Sequence, residues 1–180
     1  MKTIHCLFLG ASFSGKTSLI LHARHASFRE PSPTIGVETI SYIHNDICLQ
    51  CWDTSSNPQF NKVTMLFVKS ADIVVYVFDQ TSRQSLQTAL DWHEKILLEP
   101  QGATKIHFLV GNKSDLTTAN VLKELLKYPK LQYLTSDARS LDDVKRLFAT
   151  FIQSVDHTPL EIETETTTGT ASLQECCTCQ

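Results

Sequence analysis

Residues Gly10-Ala11-Ser12-Phe13-Ser14-Gly15-Lys16-Thr17 fill the spacing G-x-x-x-x-G-K-[ST], the pattern of a phosphate cradle. Consecutive backbone N–H groups of such a loop point inward and meet a helix N-terminus, which favours a polyphosphate. In that arrangement the cradle runs from Gly10 to Ser18, Lys16 reaches the β- and γ-phosphate oxygens, and the Thr17 hydroxyl ligates Mg²⁺. The flanks suit it. Thr3-Ile4-His5-Cys6-Leu7-Phe8-Leu9 is apolar and partly β-branched, so a strand should feed the loop, and Ser18-Leu19-Ile20-Leu21-His22-Ala23 reads as the start of a helix. A bland glycine turn is the lesser alternative in this context. The residues imply a bound nucleoside di- or triphosphate.

The base is decided further along. Ile106-His107-Phe108-Leu109-Val110 reads as a buried strand and runs into Gly111-Asn112-Lys113-Ser114-Asp115. The Asp115 carboxylate can accept two hydrogen bonds, from guanine N1–H and its exocyclic amine, a donor pair that adenine lacks. Asn112 can brace the strand end, and the Lys113 stem can cover one face of the base. Clusters of this kind also end ordinary strands. The phosphate loop upstream makes the guanine reading the stronger, with adenine, as in a small P-loop kinase, the alternative.

Together these motifs resemble those of the Ras superfamily of small GTPases, most closely its Rab branch. The resemblance covers roughly residues 3–155 and returns at residues 176–180. Thr34-Ile35-Gly36-Val37-Glu38 is similar to the end of switch I, and Cys51-Trp52-Asp53-Thr54 to the start of switch II. Trp52 and the Thr34–Glu38 stretch favour Rab over Ras proper. The resemblance implies a P-loop NTPase fold with a mostly parallel six-stranded sheet, GTP or GDP with Mg²⁺ as ligands, and GTP hydrolysis. It also implies that Thr34 ligates Mg²⁺ and donates to the γ-phosphate, that Asp53 holds the metal through water, and that Phe28 packs on guanine. Ser136-Asp137-Ala138-Arg139 stands where the family writes Ser-Ala-Lys. Only Ala138 matches strictly, and its N–H is the one the base O6 needs, with Asp137 and Arg139 on either side.

The elements that must position these residues are legible as an α/β pattern. Alternating apolar strands and helical segments predict a mostly parallel sheet with helices on both faces. Ile73-Val74-Val75-Tyr76-Val77-Phe78 is the plainest central strand and Leu141 to Val155 the plainest amphipathic helix. A chain of 180 residues fits one domain, over 1–155, large enough for a sizeable core. It is 42% hydrophobic, with no apolar stretch of the roughly 18 residues a membrane span needs, so a soluble chain is expected. Lys2 follows Met1 and no long apolar run precedes Gly10, so neither a signal peptide nor a myristoylation site is expected. A nucleic-acid partner would want a basic stripe, and none is written here. The seven His lack metal-ligand spacing and are read as core or surface residues.

Charge is uneven. All sixteen Lys and Arg precede residue 147, while 156–180 holds one Asp and four Glu, giving −5 there and +2 for the rest. That Thr-rich stretch lacks hydrophobic periodicity and is expected to be a disordered tether. Cys6, Cys48 and Cys51 fall on strand-like segments and are read as small apolar residues. Cys176, Cys177 and Cys179 crowd the end as Cys-Cys-Thr-Cys-Gln, with no second half of a zinc site elsewhere. The ending resembles the prenylated tails of Rab proteins, so lipid attachment is expected. Two frames stay open: Cys177 in a C-a-a-X box without aliphatic centre, or a double-prenyl Cys177-Thr178-Cys179 with one trailing residue. One lipid binds membranes only marginally and no polybasic patch assists, which favours two. The resemblance implies residence on the cytosolic face of intracellular membranes, in exchange with the cytosol. Exchange factors, GTPase-activating proteins and effectors are the implied protein partners.

Three departures from the family pattern stand out. Asp53-Thr54 is followed by Ser55-Ser56-Asn57-Pro58, where the family writes Ala-Gly-Gln. The family glycine gives its N–H to the γ-phosphate; Ser56 keeps the N–H but loses easy access to positive φ. The family glutamine orients the attacking water, and Asn57 is one methylene shorter. Orientation is a main lever in phosphoryl transfer, and Pro58 pushes Asn57 toward extended backbone. With Lys16 and Thr34, Asn57 completes the catalytic set, in degenerate form. The alternative is a re-registered switch II in which another residue positions water. Phe13 sits mid-loop, where relatives carry a small residue, either as an outward ring or as a lid against an arginine finger. Thr39 replaces an aromatic of an effector-facing triad whose other members are Trp52 and Phe67, so effector recognition should differ. Two function classes follow: a cycling Rab-like GTPase, or a GTP-binding pseudo-GTPase serving as a constitutive interaction module.

Overall fold

The computed structural model describes residues 1–28, 31–116 and 126–156. Strand β1 (Lys2–Leu9) leads through the phosphate loop into α1 (Lys16–His25). β2 (Val37–His44) and β3 (Ile47–Thr54) make a hairpin that turns at Asn45, φ 53°. Asn tolerates this left-handed backbone better than most residues. A 3₁₀ turn at Pro58–Phe60 precedes α2 (Asn61–Val68). Then come β4 (Ile73–Asp79), α3 (Arg83–Leu97), β5 (Ile106–Asn112), β6 (Leu131–Thr135) and α4 (Leu141–Asp156). Helix α3 starts at Ser82, whose hydroxyl accepts from Ser85 N.

The sheet runs β2-β3-β1-β4-β5-β6, with β2 antiparallel to β3 and every other neighbouring pair parallel. Alternation on the buried strands divides the core in two. Cys6, Phe8, Val75 and Val77 face Leu19, Ile20, Phe148 and Phe151 from α1 and α4. Leu7, Leu9, Val74, Tyr76 and Phe78 face Val68, Leu86, Leu90 and Ile96 from α2 and α3. The expected six-stranded sheet with helices on both faces is thus observed, and the predicted strands and helices fall where the apolar runs placed them. Cys6, Cys48 and Cys51 are free and buried, as read.

The chain leaves β1 on one side for β3 and β2, then crosses back to β4, β5 and β6 on the other. Parallel strands bring their C-terminal ends to one edge, and the crevice where strand order reverses is the usual ligand position in open α/β sheets. Here it lies at the end of β1.

Candidate nucleotide site

A cleft of about 820 Å³ opens at this edge, a size suited to a small ligand. It gathers the phosphate loop, the 31–35 segment, the stretch after β3, and the ends of β5 and β6. Two glycines shape its floor. At Gly10 (φ +142°) a Cβ would sit 2.0 Å from Val77 O, and at Gly15 (φ +97°) it would sit 2.0 Å from Asn112 Nδ2. No side chain fits either place. Of the eight loop residues, Ser12, Phe13, Gly15, Lys16 and Thr17 line the cleft, as does Ser18. Gly10, Ala11 and Ser14 complete the loop without lining the cleft. Their carbonyls are already committed to Lys16 and Asn112.

Lys16 is buried, and its ammonium donates to Gly10 O (3.2 Å), Ala11 O (3.0 Å) and Ser56 Oγ (2.9 Å). Burial lowers its pKa to about 8, with the Asp53 carboxylate opposing that shift. Next to it three oxygen-bearing side chains converge. Thr17 Oγ1 donates to Asp53 Oδ2 at 2.6 Å, Thr34 Oγ1 donates to the same oxygen at 2.7 Å, and the two hydroxyls lie 3.2 Å apart. Asp53 itself is fully buried rather than cleft-lining, and its Oδ1 has no partner. Burial raises its pKa, opposed by the two threonine hydroxyls and Lys16. A buried carboxylate oxygen without a donor, beside two hydroxyls, is a set of hard oxygens of the kind Mg²⁺ takes.

At the base end, Asn112 is buried and spans two loops. Its Nδ2 donates to Ser14 O (2.9 Å) and its Oδ1 accepts from Ala138 N (3.0 Å). The Ala138 N–H, which the resemblance sets toward the base O6, donates here to Asn112. Lys113 (φ 61°) lines the cleft while its ammonium donates to Asp79 Oδ2 at 2.6 Å. Burial works to raise the Asp79 pKa, but bonds from Lys113 and Thr81 hold it below the usual carboxylate range. Asp115 lines the cleft with Arg139 Nη1 3.6 Å from Oδ2. Asp137 turns back to accept from Arg139 N at 2.8 Å. Phe28 sits at the rim, edge-on to His22 at 6.2 Å, and His22 Nδ1–H donates to Ala138 O at 2.7 Å.

The anomalous residues have definite places. Phe13 adopts φ 60°, costly for a side chain of this size, with its ring 84% exposed at the rim. Asn57 is extended (φ −74°, ψ 124°), as Pro58 demands, and its Oδ1 caps the following turn by accepting from Gln59 N at 3.1 Å. Thr39 is exposed opposite Trp52, whose buried ring is packed between His5 (5.0 Å) and Phe67 (4.9 Å). The sequence reading missed Asp79, His22 and Gln59. Asp79 carried a signal, one residue beyond the plainest strand and so at the ligand edge; the other two carried none.

A strand–loop–helix cradle, a knot of oxygens beside its lysine and an Asn-Lys-x-Asp end, all at one switch point, define a P-loop nucleotide-binding protein. Comparison with known proteins refines this. The Ras family profile matches residues 5–157. The chain belongs to the Ras family and is a Rab-like, GTP-binding small GTPase. It is 33% identical over 162 residues to Ras-related protein Rab-42 of Mus musculus, covering 82% of this chain and 75% of that one. It is 28% identical over 158 residues to Ras-related protein Rab-17 of Mus musculus (83% and 74% covered). With Ras-related protein Rab-18 of Lymnaea stagnalis it shares 29% identity over 168 residues (88% and 83%).

Proposed function

We propose that this chain is a guanine-nucleotide switch of membrane traffic, with slow intrinsic GTP hydrolysis and a lipid-bearing tail. One observation carries the slow-hydrolysis reading: the Asn57 amide oxygen, at the family's water-orienting position, is spent on capping Gln59 N. In this reading Lys16 and the loop N–H groups hold the phosphates, Asp115 accepts from guanine, Phe28 covers the base, and Asn112 ties the two ends together. Thr17 and Thr34, with Asp53 behind them, would hold Mg²⁺, which neutralises phosphate charge when bound. Residues 1–155 form the nucleotide domain. The tail and Cys176, Cys177 and Cys179 lie outside the described residues, and their proposed role rests on the Cys-Cys-Thr-Cys-Gln ending, which resembles the prenylated tails of Rab proteins.

A re-registered switch II also has support, because Gln59 lines the cleft two residues after Asn57. A persistent GTP state would make the chain a constitutive interaction module. Single-turnover hydrolysis of GTP by purified protein separates these. Ser56→Gly with Asn57→Gln should hydrolyse faster than wild type and than either single variant, since a restored glutamine needs a mobile neighbour to approach water. Equal rates in all four proteins, with a fall in Gln59→Ala, would move the water-positioning role to Gln59.

A further inference from the structure

Ser56 makes two bonds at the phosphate loop that a glycine in its place could not. Its hydroxyl accepts from Lys16 Nζ at 2.9 Å and donates to Gly10 O at 3.0 Å. Lys16 donates to Gly10 O as well, which closes a three-membered ring of hydrogen bonds. An ammonium has three donors, and here Gly10 O, Ala11 O and Ser56 Oγ take them all. The three acceptors are not equally movable. Gly10 and Ala11 belong to a loop wedged against Val77 O and cannot retreat without unpacking the sheet edge. Ser56 lies past the end of β3 and can release Lys16 by rotating one torsion.

We propose that Ser56 is a specificity-determining residue that tilts the site toward the diphosphate, its hydroxyl holding the Lys16 donor and the Gly10 carbonyl against a terminal phosphate. This rests on the guanine-nucleotide reading above. In the guanine-nucleotide reading Lys16 serves both phosphates, but its donor toward Ser56 faces the switch side, where only a γ-phosphate arrives, so a β-phosphate leaves the hydroxyl where it is. A γ-phosphate on the switch side needs the same N–H, so its gain is reduced by the two bonds it breaks, and the displaced hydroxyl must find another partner. The serine thereby acts as a weak internal stand-in for the third phosphate.

The test measures affinities of the full chain for GDP and for the β,γ-imido analogue of GTP, with Mg²⁺ present. Ser56→Ala keeps the restricted backbone and removes only the hydroxyl, so the triphosphate-to-diphosphate affinity ratio should rise about tenfold, the worth of one net hydrogen bond to a charged group. Ser56→Thr keeps the hydroxyl and should hold the wild-type ratio. A ratio unchanged in Ser56→Ala overturns the proposal. A ratio that falls overturns it too, since the hydroxyl would then be assisting the terminal phosphate. If wild type binds neither nucleotide, the proposed function fails as well. Wild-type binding with an unmoved ratio removes this inference alone.

Discussion

Asn112→Ala is the most informative single change, because one buried amide joins the phosphate loop to the base loop. The substitution removes two bonds, to Ser14 O and from Ala138 N, and leaves both backbone groups in a buried place without partners. Each such group costs about 1–3 kcal/mol, so the pair should cost about 4 kcal/mol. In a domain of this size that corresponds to a fall of roughly 10 °C in Tm. The loss should also reach the ligand. With Ser14 O untied, the loop can open without the base strand, and a loss of about 1.4 kcal/mol would speed GDP release about tenfold. Thermal unfolding with and without excess GDP, plus chase of a fluorescent GDP, reads both effects. Asn112→Asp keeps the acceptor for Ala138 N but sets a carboxylate against Ser14 O, so release should quicken at least as much. A variant melting within about 2 °C of wild type and releasing GDP at the wild-type rate would refute the bridge.

Asp115→Asn should exchange guanine preference for xanthine, whereas Arg139→Ala should change GDP affinity less than about threefold, because the Arg139–Asp115 pair is largely solvent-exposed. Tight ATP binding, or unchanged GTP affinity in Asp115→Asn, would sink the base assignment. His93 is caged by Tyr76, His107 and Tyr128, its Nδ1 has no partner, and burial with His107 nearby lowers its pKa to about 4 against an opposing Glu94. The unfolded chain therefore binds more protons between about pH 6.5 and 4, and stability present in full above 6.5 should fall by on the order of 3 kcal/mol across that window. Denaturant unfolding of His93→Phe should show a flatter slope there; an identical slope refutes this. Replacing Cys176, Cys177 and Cys179 by Ser should move the protein from the membrane to the soluble fraction with nucleotide binding intact, and continued sedimentation would point to another anchor.

Much of this site is written in local runs. The strand before Gly10, the helix after it, and the strand that ends at Asn112 each declare themselves within a dozen residues, because their burial imposes apolar patterns. Gly10 and Gly15 were equally plain, since the spacing itself requires them. What could not be read is which acceptor each donor would choose. Asn112 as a brace was legible, yet its taking of the Ala138 N–H depends on how β6 sits beside β5. Lys113 binding Asp79, and Ser56 closing on Lys16, are likewise choices among several nearby oxygens, settled by tertiary distance rather than by any pattern in sequence. The capping role of Asn57 followed from Pro58 only once the turn after it was seen.

The β2–β3 hairpin has a mechanical consequence. Val37 is paired with Thr54, and Ser55 N donates to Gly36 O at 2.8 Å, so the segment carrying Thr34 and the segment carrying Ser56 leave the same end of one ladder. They are the two tines of a fork whose handle is the turn at Asn45 and Asp46. A pull on one tine is delivered to the other across a single rung, with no relay through the core. A reporter at Ile35 and another at Gln59 should therefore keep the same clock.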